Sequence, residues 1–209
     1  MSVPKSHHQD ENFLKLENLT AVRGYALLFS NLNFKLDAGR FAALKGPNGS
    51  GKTTLLRMVA GFIEPETGSM TRPSEEKDRG PFYLGHDHGL RATETAISHL
   101  RYWARLHSVP MDTIPDIIER LGLKSRALVP AHSLSAGQKK RLGLARALLT
   151  PRKLWLLDEP AAALDTKGQA LLCDVIREHL AAGGLCLAAL HDPLALEPDD
   201  YLDVSEFRQ

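Results

Sequence analysis

The sequence Gly46-Pro47-Asn48-Gly49-Ser50-Gly51-Lys52-Thr53-Thr54 decides the fold of this chain. It follows the apolar run 41–44 and precedes residues 55–59, whose apolar side chains have helical spacing. A strand, a glycine-rich turn and a helix in this order form a phosphate-binding loop, because the glycines let successive backbone N–H groups face one anion. The stretch therefore predicts an α/β core that binds a nucleoside triphosphate.

Four polar residues predict the chemistry of that core. Lys52 supplies a positive charge for the β- and γ-phosphates, and Thr53 offers a hydroxyl to Mg²⁺. The near-continuous apolar run 154–157 predicts a strand buried on both faces, and it ends at Asp158 and Glu159. We expect Asp158 to orient Mg²⁺ through its water shell and Glu159 to polarise the water that attacks the γ-phosphate.

Composition limits the other functional classes. The chain has 209 residues, of which 43% are hydrophobic, a size that suits a single domain with its own core. Lys and Arg total 26 against 25 Asp and Glu, for a net charge of +1, which predicts no nucleic-acid partner. No apolar run approaches the roughly 20 residues of a membrane-spanning helix, so we expect membrane association through partners only.

The order of hydrophobic patterns predicts three structural layers within one domain of residues 12–209, after a flexible tail at 1–11. An antiparallel β subdomain precedes the phosphate loop, with strands at 14–22 and 31–36. Two helices, 95–107 and 113–121, are inserted without a strand of their own and predict a helical subdomain at about 87–150. Residues 71–80 are interpreted as a surface loop and 201–207 as a weak final strand.

The sequence Leu134-Ser135-Ala136-Gly137-Gln138 lies where a loop turns into a helix. Ser135 is a favourable N-cap residue, and the N–H groups of the following turn can bind an anion. A purely structural cap is the alternative for these residues taken alone.

Together these stretches resemble the ATP-binding subunits of ABC transporters, from about residue 14 to residue 192. Residues 46–54 resemble the Walker A loop, 134–138 the signature L-S-G-G-Q, and 154–160 the Walker B strand with its catalytic glutamate. Ala163-Leu164-Asp165 resembles the D-loop, and His191 resembles the switch histidine. The resemblance implies a P-loop NTPase of ABC type, with a RecA-like parallel-sheet core, an antiparallel β subdomain and an inserted α-helical subdomain.

The same resemblance implies that two copies act together as a head-to-tail homodimer with ATP and Mg²⁺. The signature of one copy, with Ser135 and Gly137, would contact the ATP held by Lys52 of the other. His191 would bridge the γ-phosphate and Glu159, and Asp165 would communicate between the two sites.

Two positions depart from the family pattern. His86 stands where the family usually has the glutamine that senses the membrane partner. The usual adenine-stacking tyrosine is not in its expected place, which lies near Arg23, with Tyr25 two residues on. Arg23 by a cation–π contact and Tyr25 as an aromatic face are both open candidates.

Several local features are similar to one branch, the cytochrome c biogenesis ATP-binding proteins. They are Gly85-His86, the helix 100–106 and the L-S-A-G-Q form of the signature. This similarity implies integral membrane partners of the CcmB and CcmC type at the cytoplasmic face of the bacterial inner membrane. ATP hydrolysis would then drive haem export, or haem transfer to a periplasmic chaperone. Another small-substrate ABC exporter, or a soluble non-transport ABC ATPase, is the alternative.

Overall fold

The computed structural model describes residues 12–73, 80–85 and 88–208, so the predicted tail at 1–11 and His86 lie outside the described residues. In chain order the strands and α-helices are β1 (Phe13–Arg23), β2 (Ala26–Asp37), β3 (Phe41–Lys45), α1 (Lys52–Val59), β4 (Thr67–Thr71), β5 (Phe82–Leu84), α2 (Ala96–Leu106), α3 (Ile114–Arg120), α4 (Ala136–Leu148), β6 (Leu154–Asp158), α5 (Thr166–Ala181), β7 (Leu185–Ala189) and β8 (Asp200–Asp203).

Three strands form an antiparallel sheet in the order β2-β1-β4. The two predicted strands are confirmed but are longer than expected, whereas β4 was not predicted and ends where the predicted surface loop 71–80 begins. The residues of β4 are exposed or half-buried, so they lack the apolar alternation that reveals a strand. Its Gly68 has φ +96°, and a Cβ there would lie 2.5 Å from the carbonyl oxygens of Glu17 and Asn18, so only glycine fits this pairing.

Five parallel strands form the second sheet in the order β5-β6-β7-β3-β8. Every residue of β6 and β7 is buried, as expected for a sheet covered on both faces. The last strand ends at Asp203, and Val204–Phe207 form a 3₁₀ turn rather than the predicted continuation of the strand. Asp203 starts that turn by accepting hydrogen bonds from the backbone N–H and hydroxyl of Ser205.

Helices α2 and α3 pack with one face of α4 in a hydrophobic cluster that contains no strand residues. The opposite face of α4, through Leu144 and Ala147, joins the cluster over the parallel sheet, so α4 connects the two layers. Trp103 belongs to the helical cluster and is 5% exposed, whereas the neighbouring Tyr102 is 53% exposed. Across residues 12–73, 80–85 and 88–208, no helix has the length and hydropathy needed to cross a bilayer.

Candidate nucleotide-binding site

The predicted phosphate loop connects β3 to α1 at the carboxyl edge of the parallel sheet. Gly46, Gly49 and Gly51 all have positive φ, at +125°, +81° and +105°. A Cβ on Gly46 would lie 2.7 Å from the Ser50 hydroxyl, and one on Gly51 would lie 3.1 Å from the Phe29 ring of β2. The loop is therefore restricted to glycine at these points by backbone conformation and by close packing.

The loop and the helix after it are arranged to receive an anion. Gly51 is the N-cap of α1 and has no side chain to occupy the N–H groups of the first turn. Lys52 Nζ donates to the carbonyl oxygens of Gly46 at 2.6 Å and Pro47 at 3.1 Å, so the ammonium lies against the loop. The remaining predicted loop residues, Asn48, Ser50 and Thr54, occupy the same turn and the first turn of α1.

Oxygen ligands suited to Mg²⁺ meet beside the loop. The Thr53 hydroxyl donates to Asp158 Oδ1 at 3.1 Å, which brings together a residue of α1 and the last residue of β6. Magnesium is usually held by one or two protein oxygens together with substrate phosphates and water. The pair fits that requirement. No cluster of three or more His, Cys, Asp or Glu that would hold a metal alone occurs among the described residues.

Tyr83, the middle residue of the neighbouring strand β5, also contacts this pair, and sequence reasoning missed it. Its hydroxyl donates to Asp158 Oδ2 at 3.4 Å. Burial, more than any other influence, raises the pKa of the Tyr83 phenol, so the group stays a neutral donor. No local motif marks this residue, because the contact joins positions 75 residues apart in the chain.

Glu159 follows Asp158 directly and begins the turn 159–165, which leads to α5. Its φ is +48°, a left-handed conformation that is uncommon for a non-glycine residue. Its backbone N–H donates to Ala189 O of β7 at 3.0 Å. Its carbonyl oxygen accepts from Lys140 Nζ of α4 at 2.9 Å.

Lys140 is the second residue that sequence reasoning missed. It is one of three consecutive basic residues after the signature, and such a run usually lies on the surface. Its relative exposure is only 3%. Burial lowers the pKa of its ammonium, and the negative charges of Asp158 and Glu159 act in the opposite direction. A tertiary contact, which no local pattern encodes, places this charge inside the protein.

His191 lies just beyond β7, the strand between β6 and β3. Its side chain is 68% exposed, and its Nδ1 lies 3.5 Å from Asp192 Oδ1. The residue lines a cavity of about 250 Å³ beside the carboxyl ends of β3 and β7, which Tyr201 of β8 also lines. Because neighbouring parallel strands end at one edge, the sheet order brings the phosphate loop, Asp158, Glu159 and His191 to the same edge.

The predicted signature forms the start of α4. Ser135 is the N-cap: its side chain accepts from the Gln138 N–H at 3.3 Å, and the Gln138 side chain accepts from the Ser135 N–H at 3.0 Å. Leu134 is buried in the helical cluster, whereas Ser135 and Ala136 are exposed. Within the described residues, no hydrogen bond or ion pair joins 134–138 to the phosphate loop.

The turn 159–165 is held against α4 near the signature. A Cβ on Gly137 would lie 2.7 Å from Ala163 O, so glycine permits this close approach. Asp165 is the N-cap of α5, accepts from the Gly168 N–H at 2.8 Å and pairs with Arg141 at 2.6 Å. The Gly168 hydrogen bond and then Arg141 lower the pKa of the Asp165 carboxyl.

Both adenine-stacking candidates lie at the hairpin between β1 and β2. Arg23 ends β1, and Tyr25 is in the two-residue turn before β2. Both side chains are exposed, so the described contacts do not choose between them. The same sheet reaches the phosphate loop through Phe29, which places the hairpin on a layer adjacent to the nucleotide site.

Comparison with known proteins supports the family resemblance of the sequence motifs. Residues 29–162 match the family model described as ABC transporter. The chain is 43% identical over 195 residues to the cytochrome c biogenesis ATP-binding export protein CcmA of Rhodobacter capsulatus, covering 93% of this chain and 88% of that protein. CcmA of Cereibacter sphaeroides is also 43% identical, covering 93% and 90%.

The fold is similar to that of solved structures. A putative ABC transporter ATP-binding protein from Pyrococcus furiosus superposes with a TM-score of 0.80 at 22% sequence identity, covering 94% of this chain and all of that one. The chain belongs to the ABC transporter family, among relatives named as cytochrome c biogenesis ATP-binding export proteins.

Proposed function

We propose that this chain is the ATP-hydrolysing subunit of an ABC-type membrane complex that drives haem export, or haem transfer to a periplasmic chaperone, during c-type cytochrome maturation. The observation that carries the ATPase function is the meeting of the phosphate loop, Asp158, Glu159 and His191 at one edge of the parallel sheet. The haem-linked role rests on the 43% identity to the CcmA proteins.

Within one copy, the phosphate loop holds ATP and the edge residues prepare its hydrolysis. Lys52 moves from the carbonyl oxygens of Gly46 and Pro47 to the β- and γ-phosphates, a small displacement for a flexible side chain. Thr53 and Asp158 would hold Mg²⁺, which would neutralise charge on the phosphate oxygens. Glu159 accepts a proton from the attacking water, and His191 orients the γ-phosphate against Glu159.

The second half of each site comes from a second copy of the chain. Ser135, Ala136, Gly137 and the rest of the first turn of α4 supply N–H and hydroxyl donors to the γ-phosphate of the partner's ATP. Asp165, beside the signature through Arg141, communicates between the two sites of a head-to-tail homodimer. Either Arg23 or Tyr25 stacks on the adenine.

The membrane partners determine what is transported. We infer that integral subunits of the CcmB and CcmC type bind this chain at the cytoplasmic face of the bacterial inner membrane, with His86 in the partner-sensing loop. In this assignment, 12–209 form one ATP-binding domain, with a helical subdomain at about 87–150 on the partner-facing side.

Purification of the tagged full chain from bacterial membranes tests the haem-linked role. We expect stoichiometric CcmB- and CcmC-type subunits and haem absorbance in the purified complex, together with Mg²⁺-dependent ATPase activity. Co-purification with the membrane subunits of a lipid or peptide exporter would overturn the haem assignment and leave the ATPase function standing. A complex without ATPase activity would overturn both.

A further inference from the structure

We propose that Lys140 is a positioning residue for Glu159, through which the first turns of α4 set the direction of the catalytic carboxylate. The proposal rests on the ATPase function proposed above. It assigns a role to a side chain outside the phosphate loop, the Walker B pair and the five signature residues.

The burial of Lys140 requires an explanation. Transferring an ammonium group from water to the interior is costly unless the group is paired or hydrogen-bonded, so lysine is rarely buried. Here the side chain is 3% exposed, and its hydrogen-bond partner among the described residues is the carbonyl oxygen of Glu159, at 2.9 Å. The charge is thus held inside the protein at a contact with the proposed catalytic residue.

The conformation of Glu159 requires support from its surroundings. A left-handed φ of +48° is unfavourable for a residue with a Cβ, and such conformations persist where neighbouring groups hold them. The Glu159 N–H is held by Ala189 O of β7 at 3.0 Å. The Glu159 carbonyl accepts from the Ala162 N–H at 3.2 Å within its own turn and from Lys140 at 2.9 Å.

These bonds fix the two peptide groups on either side of the Glu159 Cα. The direction of the Cα–Cβ bond follows from the orientation of those two peptides, so the carboxylate is aimed by backbone bonds. One anchor comes from the sheet and another from α4. Of the contacts between α4 and the turn 159–165, the Lys140 bond is the one that reaches Glu159 itself.

The other ties between α4 and this turn act farther along it. Gly137 approaches Ala163 O, and Arg141 pairs with Asp165. They keep the helix and the turn together without contacting Glu159. If α4 moves, Lys140 would therefore shift the Glu159 carbonyl and with it the catalytic carboxylate. Arg141 would shift Asp165 in the same movement.

A double-mutant cycle with the membrane complex tests this role. Lys140→Met keeps the length and apolar stem of the side chain and removes the donor. We expect its ATPase kcat to fall about 10-fold, with the dissociation constant for ATP changed by less than about twofold, because the phosphate loop is intact. In the Glu159→Gln background, we expect Lys140→Met to change the residual single-turnover rate by less than about twofold.

A purely structural role predicts a different result. If Lys140 only supports the fold, Lys140→Met lowers the rate by the same factor in both backgrounds, and that outcome overturns the proposal. An unchanged kcat in the single variant also overturns it. Lys140→Gln, whose amide is too short to preserve the bond, is measured in the same cycle. It decides the question if the Lys140→Met variant folds poorly.

The matched control is Lys124→Met, since Lys124 pairs with Glu119 on the surface and its side chain is 75% exposed. In the wild-type and the Glu159→Gln background alike, this variant should keep the rate of its parent. Wild-type complex that fails to hydrolyse ATP would contradict the proposed function itself. If the wild type is active but the effects of Lys140→Met and Glu159→Gln are independent, only the role of Lys140 is contradicted.

Discussion

The carboxyl edge of the parallel sheet and the first turns of α4 hold residues of one proposed reaction in different ways. At the edge, the phosphate loop, Asp158, Glu159 and His191 follow strands that are hydrogen-bonded to one another, so the sheet determines their spacing. The first turns of α4 meet this region through the backbone of Gly137 and the side chains of Lys140 and Arg141.

We expect the residues at the sheet edge to carry out the hydrolysis and those of α4 to regulate it. Changes at the sheet edge should remove a chemical step while the binding of ATP continues. Changes in α4 should alter how a complete site is closed or aimed, with smaller effects on rate. Four predictions, in order of decreasing effect, test this division.

The largest effect is expected for Glu159→Gln at the sheet edge. The amide keeps the shape of the side chain but cannot accept the proton of the attacking water, so turnover should fall by at least about 100-fold. ATP affinity should stay within about twofold of the wild-type value. Steady-state hydrolysis and equilibrium nucleotide binding measure both, with the membrane partners present. Near wild-type turnover in this variant would contradict the role of Glu159.

Acid should weaken the sheet before it weakens the helical cluster. His179 stacks on Trp155 of β6 at 3.8 Å, and its Nε2 contacts the carbonyl oxygens of Lys153 and Leu185 at 3.0 and 3.2 Å. Burial lowers the pKa of His179 to about 4, so the folded state binds fewer protons than the unfolded state between about pH 4 and 6.5. Stability should therefore be complete above about pH 6.5 and decrease as the pH falls towards 4, by at most roughly 3 kcal/mol.

Hydrogen exchange at pH 7 and pH 5 measures this effect by region. Amides of β6 and β7 should lose protection at pH 5 before those of α2 and α3, because His179 contacts Lys153, which precedes β6, and Leu185, the first residue of β7. His179→Gln should make the stability of the sheet less dependent on pH. Equal loss of protection in both regions would show that His179 does not control the acid response.

An intermediate effect is expected for Gly137→Ala in α4. The new Cβ meets a backbone carbonyl, Ala163 O, at 2.7 Å, so the helix must move away from the turn 159–165. We expect turnover to fall about 10-fold at unchanged ATP affinity. Gly143→Ala in the same helix is the control, because the three atoms nearest its Cβ belong to the side chains of Leu84 and His88, not to the backbone. A loss of ATP affinity in Gly137→Ala would place the signature in the binding of nucleotide by its own copy.

The smallest effect on stability is expected for Ser135→Ala, which removes the N-cap of α4. Loss of a cap costs about 1 kcal/mol, or roughly 2–4 °C in Tm for a protein of this size. Thr95→Ala removes the corresponding cap of α2, where the side chain accepts from the Ser98 N–H. Both variants should lose similar stability, whereas Ser135→Ala alone should also reduce turnover. Equal turnover in the two variants would support a purely structural cap at Ser135.

Much of the fold was predictable from local patterns, and the exceptions have clear physical causes. The buried strand β6 and the helices α2 and α3 carry strong hydrophobic signals, and their predictions are confirmed. Strand β4 gave no such signal, because it is a mostly exposed edge strand with a left-handed glycine. The end of β8 was also missed, because Asp203 diverts the chain into a 3₁₀ turn through hydrogen bonds to Ser205.

Sequence by itself predicts which residues form the proposed site. The glycine spacing of 46–54, the acidic pair after an apolar strand and the capped stretch 134–138 each carry their signal locally. Backbone geometry and side-chain type suffice to indicate a phosphate loop, a magnesium-binding pair and a helix start.

Only the tertiary structure decided how these parts are joined. The order β5-β6-β7-β3-β8 places residues from distant segments at one edge, and no local pattern determines that order. The same applies to the Tyr83–Asp158 contact and to the burial of Lys140 against Glu159. Each depends on packing between elements far apart in the chain. For Lys140, the hydrogen bond to the Glu159 carbonyl offsets part of the cost of removing a lysine from the surface, where this residue type is usually found.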